Sequence, residues 1–321
     1  MNEVSFAVAQ SAAEASRLVG RRPSFEAAFM AGGTDLLVLR KQGLIAPRTI
    51  IYLKRIPGLS EIDFSEKEGL RIGAMVTLDE VGRHPEINRY YGMLARAALC
   101  VGSPQIRHKA TIGGNVCLNS RCYFYNRSPF WRAEYPECRK ASGGRRCYVL
   151  QKSRKGCFAL QSGDTVGPLV ALGAKLRLVS RRGERVLSVE DLFLGDGIKY
   201  LALVPGEILI EILLPPPSRT GVFVKFRPQN NLDFATFTLS VLPPGNGTGS
   251  RIVVGSVTSR PLRAEEAERM LDQGAGDAQA IAKKAVEELR LVSFVRGTVE
   301  FKKQVIKAKL ADFLGSLQGS L

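Results

Sequence analysis

Between residues 118 and 160 the chain runs for about 40 residues with little helical or strand periodicity, and this stretch carries Cys122, Cys138, Cys147 and Cys157. A connection of that length without its own structure is uncommon inside a compact domain and implies a function or an internal staple. Disulfides are not the expected staple. The N-terminal sequence lacks the basic and continuous apolar regions of a secretory signal, and no apolar run approaches the roughly 20 residues that span a bilayer. The expected compartment is the cytoplasm, where thiols stay reduced. The four cysteines are separated by 15, 8 and 9 residues, unlike the close C-x₂₋₄-C pairs of zinc sites or the tight runs of bacterial ferredoxins. One shared metal centre would close three loops and offset the entropy of ordering a segment with little core. Zinc and a four-iron cluster both satisfy that reasoning, and four unconnected thiols are the plain alternative.

Charge sharpens the picture. The chain carries a net +16 with a pI near 9.8. Arg121, Arg127, Arg132, Arg139, Lys140, Arg145, Arg146, Lys152, Arg154 and Lys155 face only Glu134 and Glu137 across the cysteine segment, which places half of the net charge there. Nucleic-acid binding rewards such charge, but a field this localised suits an anionic cofactor or an acidic protein partner equally well.

Elsewhere the pattern is that of an α+β protein. Residues 25–31 read as a short strand, followed by the Gly32-Gly33 turn and a helix that ends at Gly43. A further strand is expected from Thr49 to Leu53, and a hairpin around Ile62 and Leu70 to Ile72. Thr77 with Glu80 fits a capping box, and a helix is expected from Tyr91 to Val101. After the cysteine segment come a helix in GDTVGPLVALGA, paired strands around Arg181-Arg182-Gly183, and a buried strand in GEILIEILL. Pro215-Pro216-Pro217 then marks the preferred domain boundary. Beyond it three alternating stretches read as an antiparallel sheet, and helices are expected over Ala264 to Leu271, Ala278 to Leu291 and Thr298 to Leu314.

Two glycine pairs, Gly32-Gly33 and Gly113-Gly114, sit at turns beside Thr34 and Thr111. Glycine permits close backbone approach to a pyrophosphate, and free N–H groups and threonine hydroxyls can donate to it. Either pair alone also fits an ordinary turn, and neither is a G-x-G-x-x-G or Walker loop. Asp164 can accept a hydrogen bond from a cofactor or cap the following helix. Lys225 can lie over a cofactor or point to solvent. Cys100 reads as a core residue and Cys117 as a packed neighbour of the second turn.

Ala31-Gly-Gly-Thr-Asp-Leu-Leu37, Ser103-Pro-Gln-Ile-Arg107, Ala110-Thr-Ile-Gly-Gly-Asn115, Gly206-Glu-Ile-Leu209 and Arg260-Pro-Leu-Arg-Ala-Glu-Glu-Ala-Glu268 together resemble, in order, the motifs of the FAD-binding subunits of the xanthine and carbon monoxide dehydrogenase family. The resemblance implies an FAD-binding domain over 1–217, interrupted by an insert at 118–160, and a smaller domain over 218–321. It implies that Ala31, Gly32, Gly33, Thr34, Asp35 and Leu36, with Thr111, Ile112, Gly113, Gly114 and Asn115, hold the FAD pyrophosphate. Asp164 would lie near the flavin, with Leu209, Ile210 and Lys225 flanking its ring. The insert resembles that of the β subunit of 4-hydroxybenzoyl-CoA reductase, implying a 4Fe-4S cluster on Cys122, Cys138, Cys147 and Cys157.

The implied activity is electron transfer from ferredoxin through 4Fe-4S and FAD to 2Fe-2S clusters on a small subunit and a molybdenum cofactor on a large subunit. These would assemble as a dimer of heterotrimers that dehydroxylates 4-hydroxybenzoyl-CoA, with no nucleic-acid or membrane partner. The alternatives are a hydroxylase acting on an aldehyde, xanthine or an N-heterocycle and, more distantly, a zinc-stapled nucleic-acid reader. No catalytic side chain is assigned to this chain.

Overall fold

The computed structural model describes residues 3–20, 26–150, 153, 156–229, 232–245, 249–293 and 297–318. Phe25 of the first predicted strand, Lys152, Arg154 and Lys155 of the basic segment, and Asn230 and Asn231 lie outside them. Among the described residues the strands form three sheets. The first is parallel, in the order β1-β3-β2, built from β1 (Ser5–Val8), α1 (Ala12–Val19), β2 (Ala27–Met30), α2 (Leu36–Lys41) and β3 (Thr49–Tyr52). Parallel neighbours require a crossover rather than a tight hairpin, and α2 supplies it between β2 and β3. The Gly32-Gly33 turn thereby falls at the end of β2, as the sequence predicts.

The expected hairpin is present as β4 (Ile62–Ser65) and β5 (Gly69–Gly73). Next come α3 (Leu78–Arg83), α4 (Pro85–Tyr90), α5 (Gly92–Leu99), α6 (Pro104–Arg107) and α7 (Ile112–Val116). The capping box forms: Thr77 Oγ1 accepts from the Glu80 N–H at 3.2 Å, and Glu80 Oε2 accepts from the Thr77 N–H at 2.8 Å. The cysteine segment contributes α8 (Pro129–Ala133) and α9 (Arg139–Ser142), and α10 (Val166–Ala171) follows. Strands β6 (Lys175–Ser180), β7 (Gly183–Ser188) and β8 (Ile208–Leu214) complete an antiparallel sheet in the order β4-β5-β8-β6-β7.

The cysteine segment is thus less irregular than its sequence suggests. Single-turn helices are too short to show a period, and its packing comes from rings instead. Tyr123, Phe124, Trp131, Tyr135 and Tyr148 form one aromatic group with centroids 4.7 to 6.4 Å apart. Its ends are tied together, because Arg121 and Leu160 exchange both backbone hydrogen bonds, at 2.8 and 2.7 Å.

The third sheet is antiparallel in the order β12-β11-β10-β9. It comprises β9 (Val222–Phe226), β10 (Phe237–Leu242), β11 (Arg251–Gly255) and β12 (Leu262–Arg263), with α11 (Glu265–Asp272), α12 (Ala278–Glu288) and α13 (Val299–Gln318) against one face. Successive side chains of a strand point to opposite faces. Phe237, Leu239 and Val241 therefore pack with Ile281, Ala285 and Leu310 under the helices, whereas Leu242, Phe223 and Val253 join the core that contains α5 and α10. Lys225 shares the side of Phe223, so β9 aims it toward the earlier part of the chain.

Lys302 on α13 is only 1% exposed, and its ammonium donates to the Val292 carbonyl at 3.0 Å. Burial pulls its pKa from 10.5 down to about 8. Between those two values the unfolded chain binds more protons than the folded one, so stability rises with pH across that window. We expect Lys302→Met to be more stable than the wild type near neutral pH, with the gap narrowing as pH climbs through the window. Urea melts at a series of pH values test this, and a gap independent of pH would sink it.

Candidate functional site

The site begins where the two glycine turns meet. A Cβ on Gly32 would lie 1.7 Å from the Lys109 carbonyl oxygen, so only glycine lets the second turn rest on the first. Gly33 has φ +73°, a conformation that side chains other than glycine's rarely adopt. Among the described residues, the backbone N–H groups of Gly32, Gly33, Thr34, Asp35 and Leu36 make no hydrogen bond within the chain. Successive free N–H groups around such a turn form a concave surface that attracts anions.

The second turn divides its residues between fold and site. The Ile112 N–H donates to Val76 O at 2.9 Å and the Gly113 N–H to Ala74 O at 3.0 Å. Ile112 is fully buried in the core, and a Cβ on Gly113 would sit 2.7 Å from Ala74. The N–H groups of Ile112 and Gly113 are thus engaged in holding the turn. Thr111, Gly114 and Asn115 do face the cavity, with Thr111 Oγ1 accepting from the Gly114 N–H at 3.1 Å.

Both turns open onto a cavity of about 620 Å³, which Ala31 to Leu36, Asp164 and Lys225 also line. Lys225 Nζ donates to Asp164 Oδ2 at 2.6 Å and to the Cys100 carbonyl at 3.0 Å. The two side chains are about 5% exposed, and burial raises the Asp164 carboxyl while the ammonium beside it lowers it. Neither plain alternative holds for these residues. Lys225 does not point to solvent, and Asp164 does not cap α10, whose first residue is preceded by Thr165 in helical conformation. Asn115 Oδ1 accepts from both the Thr165 N–H and hydroxyl, at 3.1 and 2.7 Å, which holds the 164–165 peptide beside the second turn.

Leu209 and Ile210 are not brought to the cavity. They lie on β8, the middle strand of its sheet, where Leu209 enters the main core and Ile210 lines a separate cleft with Arg71, Arg177 and Glu211. Cys117 lines the cavity. Cys100 is half-buried at the edge of the main core rather than inside it.

Cys122, Cys138, Cys147 and Cys157 are all buried. Cys122 and Cys157 share a small core with Tyr125 and Ala159, while the Cys138–Arg146 bridge carries Cys147 to the same pocket. Burial pushes the Cys122 thiol up to about 12 and the Cys157 thiol to about 11, so ionising these two needs a compensating cation. Around one zinc with Zn–S near 2.3 Å, thiolates would stand about 3.8 Å apart. Among the described residues no three Cys, His, Asp or Glu side chains are close enough to hold a single ion.

Two cations stand between pocket and cavity and line the latter. The Arg121 guanidinium pairs with Asp35, whose carboxyl burial raises. Lys140 Nζ donates to Asn119 Oδ1 at 2.7 Å, Ser120 O at 3.0 Å and Gly197 O at 2.7 Å, and burial lowers it to about 8. Tyr125 lines the cavity from the cysteine side. The sequence reading gave none of these three a role at the cavity, nor Tyr200. Arg121 and Lys140 were visible only as members of the basic segment, and nothing local marks the tyrosines.

Residues 2–217 match the family described as the FAD binding domain in molybdopterin dehydrogenase. The chain is 30% identical over 275 residues to the aldehyde oxidoreductase FAD-binding subunit PaoB of Escherichia coli, covering 83% of this chain and 84% of that one. It is 27% identical to the nicotinate dehydrogenase FAD-subunit of Eubacterium barkeri, covering 84% and 80%. In fold it is similar to a chain of carbon monoxide dehydrogenase from Hydrogenophaga pseudoflava, with a TM-score of 0.76, 24% identity and coverage of 97% and 96%. From the turn geometry we expect Gly33→Val to yield folded, flavin-poor protein, since a β-branched residue is strained at φ +73°. Flavin absorbance per chain measures this, and full occupancy would place the pyrophosphate elsewhere.

Proposed function

The chain belongs to the family of FAD-binding subunits of the molybdenum hydroxylases, and on that premise we propose that it holds FAD between its two glycine turns and relays electrons within a larger complex. The observation that carries this reading is the run of five free N–H groups from Gly32 to Leu36 on the wall of the cavity. That donor set fits a pyrophosphate. Bound FAD would supply the redox chemistry, while the protein supplies position and field. Lys225, held by Asp164 and the Cys100 carbonyl, presents a fixed positive donor to the cavity. Both side chains of that pair are almost wholly buried.

We further infer that Cys122, Cys138, Cys147 and Cys157 hold a 4Fe-4S cluster. Support comes from the burial of all four thiols, from the electrostatic contact of Cys122 with Cys138 and Cys157 and of Cys157 with Cys147, and from Lys140 and Arg121 at the edge, whose charge offsets that of an anionic cluster. A large molybdenum subunit and a small 2Fe-2S subunit complete the proposed assembly, a dimer of heterotrimers in the cytoplasm. Among the described residues no helix is long and apolar enough to cross a membrane.

For the substrate, the named relatives favour oxidation of an aldehyde or an N-heterocycle on the large subunit. Reduction of 4-hydroxybenzoyl-CoA is a second reading, which the four-cysteine insert alone supports. An acidic ferredoxin would dock at the insert, where Arg145 and Arg146 are exposed, in a way that salt screens.

Serine at any of the four cysteines is expected to lower iron below the wild-type content, whereas Cys100→Ser leaves it unchanged. Assay of the purified complex with an aldehyde, with nicotinate and with reduced ferredoxin plus 4-hydroxybenzoyl-CoA separates the substrates. Turnover of the thioester alone would reverse the preference. Reversing Arg145 and Arg146 to Glu should slow electron exchange with ferredoxin and flatten its ionic-strength dependence. An unchanged rate and salt slope would place docking elsewhere.

A further inference from the structure

One short turn, residues 196–200, touches both the cysteine pocket and the cavity. Asp196 Oδ1 accepts from the Ile198 and Lys199 N–H groups at 2.7 and 3.0 Å, closing the turn, while its Oδ2 accepts from the Cys157 N–H at 3.0 Å. The Gly197 N–H donates to the Cys157 carbonyl at 2.8 Å. The Gly197 carbonyl accepts from Ser120 Oγ at 2.6 Å and from Lys140 Nζ at 2.7 Å. A Cβ on Gly197 would sit 2.7 Å from Cys157 Sγ. Beyond the cysteine, the Ser259 hydroxyl donates to Ala159 O at 2.7 Å, so the chain around Cys157 is held from two separate loops. The other end of the turn supplies Ile198 and Tyr200 to the cavity wall.

We propose that Asp196 and Gly197 are positioning residues for Cys157, and that the 196–200 turn couples occupancy of the cysteine pocket to the affinity of the cavity for FAD through Ile198 and Tyr200. The inference rests on the reading of the pocket as a cluster site. A ligated Cys157 is fixed at its sulfur as well as along its backbone, and the turn hydrogen-bonded to it is fixed too. An empty pocket frees the sulfur, and the cavity wall must then be ordered at the expense of FAD binding. Such coupling is reciprocal, so bound FAD also favours retention of iron.

The test uses the full chain purified anaerobically with its partners, measuring iron and FAD per chain and the FAD dissociation constant. Chelating iron out of the wild type should weaken FAD binding by roughly tenfold, within the usual range of coupling between sites. Cys122→Ser, which empties the pocket without touching the turn, should do the same. Gly197→Ala should lower iron and weaken FAD together. Asp196→Asn keeps one oxygen for the turn but offers Cys157 no second acceptor, so it should alter the electron paramagnetic resonance spectrum of the reduced cluster more than it alters FAD affinity. Iron loss with unchanged FAD affinity, in the chelated wild type and in Cys122→Ser, overturns the coupling. Wild-type iron and spectrum in both Gly197→Ala and Asp196→Asn overturn the positioning role. A wild type without iron overturns the cluster reading, and this inference with it.

Discussion

The close approach of two backbones at Gly32 and Lys109 is the contact on which the site depends. No side chain fits between them, and the missing Cβ is what lets a loop from the parallel sheet rest on a loop from the helical layer. Everything that faces the cavity is referenced to that contact. Asn115 extends from the second turn to hold Thr165, which leaves Asp164 facing inward, and Asp164 receives Lys225 from a strand of the third sheet. Three regions far apart in sequence meet through main-chain contacts and one buried ion pair. Breaking such a pair leaves a charge uncompensated and typically costs about 3–5 kcal/mol.

The fold was legible wherever the signal was local. The Thr77 and Glu80 capping box, the hairpin around Ile62 and Leu70, and the alternating strands after Pro217 each carry their cause within a few residues. The site was legible in part for the same reason, because the glycine turns are local. What sequence could not supply was partnership across distance. Asp35 and Arg121 are 86 residues apart. Period two says that Lys225 shares a face with Phe223, but not which layer covers that face. From its neighbours in sequence Asp164 reads first as a helix cap, and only the distant Lys225 ammonium against it marks it as part of the cavity. Leu209 and Ile210 carry a recognisable motif, yet β8 lies mid-sheet and turns them away from the cavity.

The basic segment also reads differently once folded. Four of its described cations fall into two groups with different physics. Lys140 and Arg121 are drawn inward, held by carbonyls or by Asp35, and belong to the wall shared by pocket and cavity. Arg145 and Arg146 stay in water, where Arg146 pairs with the exposed Glu137 and the pair contributes little to stability. Net charge counts the two groups alike, which is why it pointed so weakly toward nucleic acid.

The closure at Arg121 and Leu160 has a consequence for how such a chain is assembled. The chain enters and leaves the segment at one hydrogen-bonded rung, as it would a tight hairpin. The segment brings its own interior in the ring group around Phe124 and Trp131, with Leu44 of the host packed against its cysteine side. Because Arg121 and Leu160 lie side by side, the chain enters and leaves the segment at one place, and its length can vary there without a change in the spacing of its host's ends.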